Sequence, residues 1–75
     1  MKIRLSRHAK RRAKLYKIPE EVISDVLKTA PNTPGKNEIT KKLNNFQFPL
    51  KIIYFIEKDE LIVITNYPLK KEKKT

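Results

Sequence analysis

Two apolar segments in the C-terminal half constrain the fold of this chain most strongly. Leu50–Glu57 and residues 60–67 are rich in β-branched and aromatic side chains, and only Lys58 and Asp59 separate them. Two such segments joined by two polar residues predict the antiparallel strands of a β-hairpin. Because both segments are almost continuously apolar, we expect the hairpin to be buried on both faces or nearly so.

The N-terminal part of the chain predicts one strand followed by two helices. Residues 2–5 alternate basic and apolar side chains, as in a half-buried strand. Ser6 offers an N-cap hydroxyl to a helix over residues 7–17, which contain neither glycine nor proline. Pro19 ends that segment and is expected at the first position of a second helix, whose apolar stripe recurs through residues 22–30.

The region between the second helix and the hairpin predicts a loop and an edge strand. Residues 29–37 hold two prolines and the only glycine, as in a loop, and residues 38–43 alternate weakly, as in an edge strand. The predicted order is β-α-α-β-β-β, a two-layer α+β fold with both helices packed on an antiparallel sheet. We expect one domain over residues 1–69 and a disordered, lysine-rich tail over residues 70–75.

Length and composition exclude several classes of function. A chain of 75 residues buries only about 60% of its unfolded surface, so its core leaves little room for a cofactor pocket. It has no cysteine and one histidine, so we expect no disulfide, no metal site and no cofactor. No apolar segment is long enough to span a bilayer, and the N-terminus lacks a signal-peptide pattern, so we expect a cytoplasmic protein without a membrane partner.

Positive charge is the strongest global signal. The chain has 18 basic and 8 acidic residues, a net charge of +10. Residues 1–17 contain no acid and eight of the basic residues: Lys2, Arg4, Arg7, Lys10, Arg11, Arg12, Lys14 and Lys17. This concentration predicts a polyanionic partner, namely nucleic acid. The alternative is a lysine-rich surface that only keeps the protein soluble, as in heat-adapted or AT-rich genomes.

A helical projection divides the first helix into faces. Ala9, Ala13 and Tyr16 fall on one arc, and His8 and Arg12 lie beside it, on the side expected to lean inward. The residues predicted to bind nucleic acid are the four basic residues of the opposite arc and one lysine of the hairpin: Arg7, Lys10, Arg11, Lys14 and Lys51.

Three segments share a pattern with a known family. They are Ser6-Arg7-His8-Ala9 with Arg12, then Ile18-Pro19-Glu20-Glu21-Val22, and then Lys51-Ile52-Ile53-Tyr54 with Ile62-Val63-Ile64-Thr65-Asn66-Tyr67. In these segments the chain resembles a family of short proteins placed near the RelE/ParE-type and BrnT-type toxins of bacterial and archaeal toxin–antitoxin systems. That family has a Ser/Thr-x-His-Ala-x-x-Arg signature. It often has Arg-Gly where this chain has Tyr16-Lys17, so any role of that arginine is missing or moved to Arg11 or Lys14.

The resemblance implies a RelE-like fold, a ribonuclease toxin or an inactive relative of one, and a small acidic antitoxin as partner. The expected substrate is mRNA, free or on the ribosome, and its metal-independent cleavage needs a base, an acid and cations on the phosphate. A neutral His8 could accept the proton, and Arg12 could hold the phosphate. Tyr67, Tyr54 and Lys51 remain as candidates for the acid or for phosphate contact, so the predicted catalytic set is His8, Arg12 and Tyr67.

Other interpretations stay open. His8 could instead hydrogen-bond the sheet backbone, and Arg12 could form a buried ion pair with Asp25 or Glu38. The aromatic residues are expected mainly in the core. The chain could be a non-catalytic nucleic-acid-binding protein, or an inactive toxin relative that acts through protein partners. A DNA-binding helix-turn-helix is disfavoured because the second helix begins with two glutamates.

Overall fold

Two short helices lie between the first strand and three further strands. The computed structural model describes residues 2–43 and 46–69, so the predicted tail over residues 70–75 lies outside the described residues. The α+β class is confirmed. The elements are β1 (Lys2–Leu5), α1 (Arg7–Leu15), α2 (Glu20–Lys28), β2 (Gly35–Lys41), β3 (Leu50–Glu57) and β4 (Glu60–Pro68).

The sheet is mixed, which corrects the prediction of an antiparallel sheet. Its strand order is β1-β4-β3-β2, and the two junctions between β2, β3 and β4 are antiparallel. β1 pairs in parallel with β4, with Lys2 opposite Glu60 and Leu5 opposite Val63. Parallel neighbours need a long crossover connection. Here α1, α2, β2 and β3 lie between the two strands in the chain. β1 therefore joins the sheet beside the last strand.

The loop before β2 is shorter than the predicted loop over residues 29–37, because β2 already begins at Gly35. Gly35 has a φ of 97°, a left-handed conformation that glycine adopts without steric cost. Asn37 fixes the turn before it by donating side-chain hydrogen bonds to the carbonyls of Thr33 at 2.6 Å and Gly35 at 3.0 Å. Local turn chemistry thus starts the strand earlier than the weak alternation indicated.

One hydrophobic core joins both helices to one face of the sheet. Its buried members are Ala9, Ala13, Ile18, Ile23, Val26, Leu27, Leu50, Ile52, Tyr54, Ile56, Leu61 and Val63. The prediction that the hairpin is buried on both faces or nearly so is wrong for the face turned away from the helices. In β3 the buried residues alternate with more exposed ones, and Phe55 is 37% exposed. Since both helices of the described chain pack on the same face, the other face of the sheet lacks a covering layer.

A β-bulge in β4 changes which side chains reach the core. Ile53 pairs with Thr65 whereas Tyr54 pairs with Val63, so Ile64 is an extra residue in β4. Beyond the bulge the alternation is shifted by one position, and Asn66 becomes fully buried beside the core.

Hydrogen bonds define the two ends of α1: one to a side chain at the start and two between backbone groups at the end. The Ser6 hydroxyl accepts a hydrogen bond from the Ala9 N–H at 3.0 Å, which confirms the predicted N-cap. At the other end, the N–H groups of Ile18 and Lys17 donate to the carbonyls of Ala13 and Lys14 at 2.8 and 3.2 Å. This is the Schellman arrangement, and it places Lys17 in the left-handed region at φ 56°.

The second helix begins one residue later than predicted. Pro19 occupies the N-cap position rather than the first helical position, and α2 starts at Glu20. Neither helix of the described residues is long and apolar enough to cross a membrane.

Candidate nucleic-acid interface

A row of four cations runs along the solvent side of α1. We call it the cation row, and its members are Arg7, Lys10, Arg11 and Lys14. All four are exposed, as the helical projection predicted. They line a groove of about 560 Å³ whose other lining residues are Ala13, Ile18 and Glu20. The groove therefore combines cationic walls with buried apolar residues and one carboxylate.

The cation row has no acidic partners within the part of the chain that the structure describes. The ion pairs there lie elsewhere and join Arg4 to Glu60 at 2.8 Å, Lys28 to Asp25 at 3.7 Å and Lys51 to Glu38 at 3.2 Å. The first turn of α1 also carries no acid that would complement the helix dipole. Glu20 lines the same groove but forms no ion pair with the cation row among the described residues, so most of the positive charge of this helix is left to solvent or to an external anion.

The spacing of the cation row makes its members repel one another. Arg7 is three and four positions from Lys10 and Arg11, and Lys14 is four and three positions from the same two residues. Each like-charge pair at this spacing destabilises a helix by about 0.2–0.5 kcal/mol. A helix that needed only to pack on the sheet would gain stability from a different pattern.

Contacts with β4 hold α1 in place. Ala9 and Ala13 are both buried, and their small side chains let the helix approach the sheet closely. The Asn66 side-chain amide donates to the Ala9 carbonyl at 3.2 Å, and the Ser6 hydroxyl donates to the Ile64 carbonyl at 3.0 Å. The cation row is thus presented by a helix that is attached to the sheet at its N-terminal end.

Asn66 is a site residue that sequence reasoning missed. Its Oδ1 accepts no hydrogen bond from the described residues, although the side chain is fully buried. The one available signal was a polar amide within the apolar segment of β4. Its contact with α1 depends on the bulge at Ile64, and the sequence pattern does not show this bulge.

The structure separates His8 from Arg12. His8 is exposed, so the expectation that it leans inward is wrong. Arg12 is half-buried, and its guanidinium donates to the Tyr16 hydroxyl at 3.3 Å. The side chains lie one helical turn apart on the same helix, at different depths.

The structural alternatives for this pair are also wrong. Among the described residues, His8 makes no side-chain hydrogen bond to the sheet, and Arg12 forms no ion pair. The two proposed acidic partners, Asp25 and Glu38, pair with Lys28 and Lys51 instead.

The three hairpin candidates occupy two different environments. Tyr54 is fully buried, and its hydroxyl donates to the Pro31 carbonyl at 2.7 Å. Burial raises the pKa of this hydroxyl, so it stays protonated and serves the core. Lys51 pairs with Tyr67 across the hairpin, on the face turned away from the helices.

The predicted catalytic set is therefore not gathered at one place. Tyr67 belongs to one face of the sheet, while α1, with His8 and Arg12, packs on the other. The described residues contain no cluster of three or more potential metal ligands. Comparison with protein-family models, with curated proteins and with solved structures gave no match.

Proposed function

We propose that this protein binds RNA by holding its phosphate backbone on the cation row of α1. The observation that carries the proposal is the exposure of four cations on one helix without acidic partners among the described residues. Contacts to phosphate from arginine and lysine supply most of the sequence-independent affinity for nucleic acids.

A bound phosphate chain would relieve a cost that the free protein carries. Each phosphate near the cation row reduces repulsion between like charges three or four residues apart. It also complements the positive end of the α1 dipole, where Arg7 and Lys10 lie and no acid is present. Stability and binding therefore make opposite demands on this helix, as is common at functional sites.

The double variant Arg7→Gln/Lys10→Gln tests the proposal. Each ionic contact to single-stranded nucleic acid contributes about fivefold to affinity at 0.1 M salt, so its RNA affinity should fall about 25-fold. Its melting temperature should rise, because the change removes three of the like-charge pairs and two cations near the helix N-terminus. Fluorescence anisotropy with labelled RNA and circular dichroism measure the two effects.

A matched control removes the same charge elsewhere. Lys28→Gln/Lys58→Gln changes two exposed lysines outside the groove and lowers the net charge equally. Its RNA affinity should stay within about threefold of that of the unmodified protein, because distant exposed charges are largely screened at 0.1 M salt. Equal losses in both variants would contradict a localised site on α1 and favour a diffuse charge effect.

A second candidate function is the ribonuclease toxin that the family resemblance implies. The supporting observation is the exposure of His8 beside the cation row, one turn from an arginine whose guanidinium is held by Tyr16. An RNA strand on the cation row would bring its 2′-hydroxyls near His8. His8 would act as the base and Arg12 would hold the phosphate. Tyr67 lies on the other face of the sheet, so it would contact the RNA only if the strand passed around the edge of β4.

Cleavage assays separate this second candidate from binding alone. Under this proposal, RNA incubated with the protein and a chelator, free or on ribosomes, is cut, and His8→Ala abolishes cutting while retaining binding. Expression of the unmodified protein arrests growth, and co-expression of a short acidic protein from the neighbouring reading frame, acting as antitoxin, restores it. Intact RNA in both settings together with normal growth would reject the toxin and leave the binding function.

A further inference from the structure

On the face of the sheet opposite the helices, apolar and aromatic side chains are partly exposed to solvent. We call this face the outer face. Phe55 and Ile64 are 37% and 38% exposed, and Ile53, Ile62 and Tyr67 are half-buried. No helix of the described residues packs on this face, since both belong to the core on the other side.

Strand register arranges the outer face in rows. The first row holds Arg4, Ile62, Phe55 and Lys36, the second holds Thr65, Ile53 and Glu38, and the third holds Tyr67, Lys51 and Thr40. Rows on one face lie two residues apart along a strand, a spacing of about 6.8 Å. An aromatic ring lies in the first row and another in the third.

We propose that the outer face binds the unpaired bases of single-stranded RNA, with Phe55 and Tyr67 as stacking platforms. This inference rests on the proposed function. The rows of Phe55 and Tyr67 are about 13.6 Å apart along the strands, about four times the 3.4 Å rise per nucleotide along a duplex strand, so the two rings can each take a base only from a splayed strand. Stacking on aromatic rings tolerates any base.

Charge at the margins of the outer face fits the same occupant. Cations end the first row at both sides, through Arg4 and Lys36, and Lys51 lies in the third row. The carboxylates of this face are Glu38 in the second row and, beyond the first row toward the turn between β3 and β4, Glu57 and Glu60. Arg4 and Lys51 pair with glutamates, but pairs with such exposure are weak and a phosphate can replace the carboxylate. A second copy of this chain is a poor occupant, because each copy carries a net charge of +10.

The outer face is continuous with the cation row around the edge of β4. β1 pairs with β4 only as far as Val63, so within residues 2–43 and 46–69 the following part of β4 has no neighbouring strand on that side. There the Ser6 hydroxyl, at the start of α1, donates to the carbonyl of Ile64. One RNA strand could therefore place phosphates on the cation row and bases on the outer face.

The test compares single-stranded RNA of about 12 nucleotides with a duplex of the same strand. Phe55→Leu and Tyr67→Leu keep apolar bulk but remove the ring, and each should weaken binding of the single strand about tenfold. Affinity for the duplex should stay within about twofold. Tyr67→Phe, which keeps a ring, should bind the single strand like the unmodified protein.

The outcomes distinguish this inference from the proposed function. If Arg7→Gln/Lys10→Gln weakens binding of single-stranded RNA while both leucine variants bind it normally, the outer face does not contact bases and the cation row still does. The same result is expected if the outer face receives an acidic protein segment. If the unmodified protein prefers the duplex, the inference is wrong. If it binds neither RNA, the proposed function fails first.

Discussion

Replacing Lys17 by glycine should stabilise the protein, because Lys17 adopts a conformation that suits glycine. The residue follows α1 at φ 56°, where the N–H groups of Lys17 and Ile18 close the Schellman arrangement. A left-handed conformation costs a residue with a Cβ about 1–2 kcal/mol. Glycine loses about 0.5–1 kcal/mol more backbone entropy on folding, so the net gain for Lys17→Gly is about 0.5–1 kcal/mol.

This gain corresponds to a measurable change in melting temperature. A chain of 75 residues has an unfolding entropy of about 0.16 kcal/mol/K near its transition, so the midpoint should rise by about 3–6 °C. Thermal unfolding followed by far-ultraviolet circular dichroism, which reports helix content, measures it. Lys17→Ala is the control, since it removes the same charge and keeps the strained conformation.

The two variants together decide the cause. If Lys17→Ala raises the midpoint as much as Lys17→Gly, relief of charge repulsion explains the gain and the backbone argument is wrong. If Lys17→Gly lowers the midpoint, the helix does not end as the structure shows.

Two further predictions concern buried groups of the hairpin. Asn66→Asp places a carboxylate against the Ala9 carbonyl, so stability at pH 7 should fall by about 3 kcal/mol or more, and it should partly recover near pH 4, where the carboxyl group is protonated and can donate. Urea unfolding at both pH values measures this, and an equal loss at both would contradict it. Because burial raises the pKa of Tyr54, its contribution to stability is present below the usual tyrosine pKa of about 10 and is lost as pH rises through the higher folded value. Tyr54→Phe should therefore flatten the decline of stability above about pH 10, and an unchanged decline would refute the assignment.

Local patterns predicted the elements but could not predict the long-range pairing. The alternation of residues 2–5, the Ser6 cap and the two apolar segments of the hairpin each specify a structure within one stretch of chain. The parallel pairing of β1 with β4 joins residues almost 60 positions apart, such as Lys2 and Glu60. Such pairing leaves no periodic signal in either strand.

The candidate site was predictable to the same extent. The cation row follows from helical periodicity, since Ala9 and Ala13 fix the buried side. The side of Tyr67 does not follow, because strict alternation from the buried Val63 would turn Tyr67 toward the helices, and the extra residue Ile64 turns it away. His8 lay at the margin of the buried arc, where the projection alone does not determine exposure.

The open outer face was missed for a related reason. Continuous apolar character in β3 and β4 is typical of strands covered on both faces, and Phe55 and Ile64 contribute to that pattern. Both helices of the described residues lie on one side of the sheet, so this part of the chain offers no further helix to cover the other side. The sequence of a strand shows which of its residues are apolar. Whether another layer packs on each face of the strand depends on where the remaining elements lie.

The salt dependence of RNA binding tests the central claim most directly. With Arg7, Lys10, Arg11 and Lys14 all engaged, a plot of log K against log salt concentration for single-stranded RNA should have a slope of about −2.8 or steeper. For Arg7→Gln/Lys10→Gln the slope should become shallower by about 1.4, while Lys28→Gln/Lys58→Gln leaves it unchanged. The same slope in all three proteins would show that α1 does not hold the phosphates.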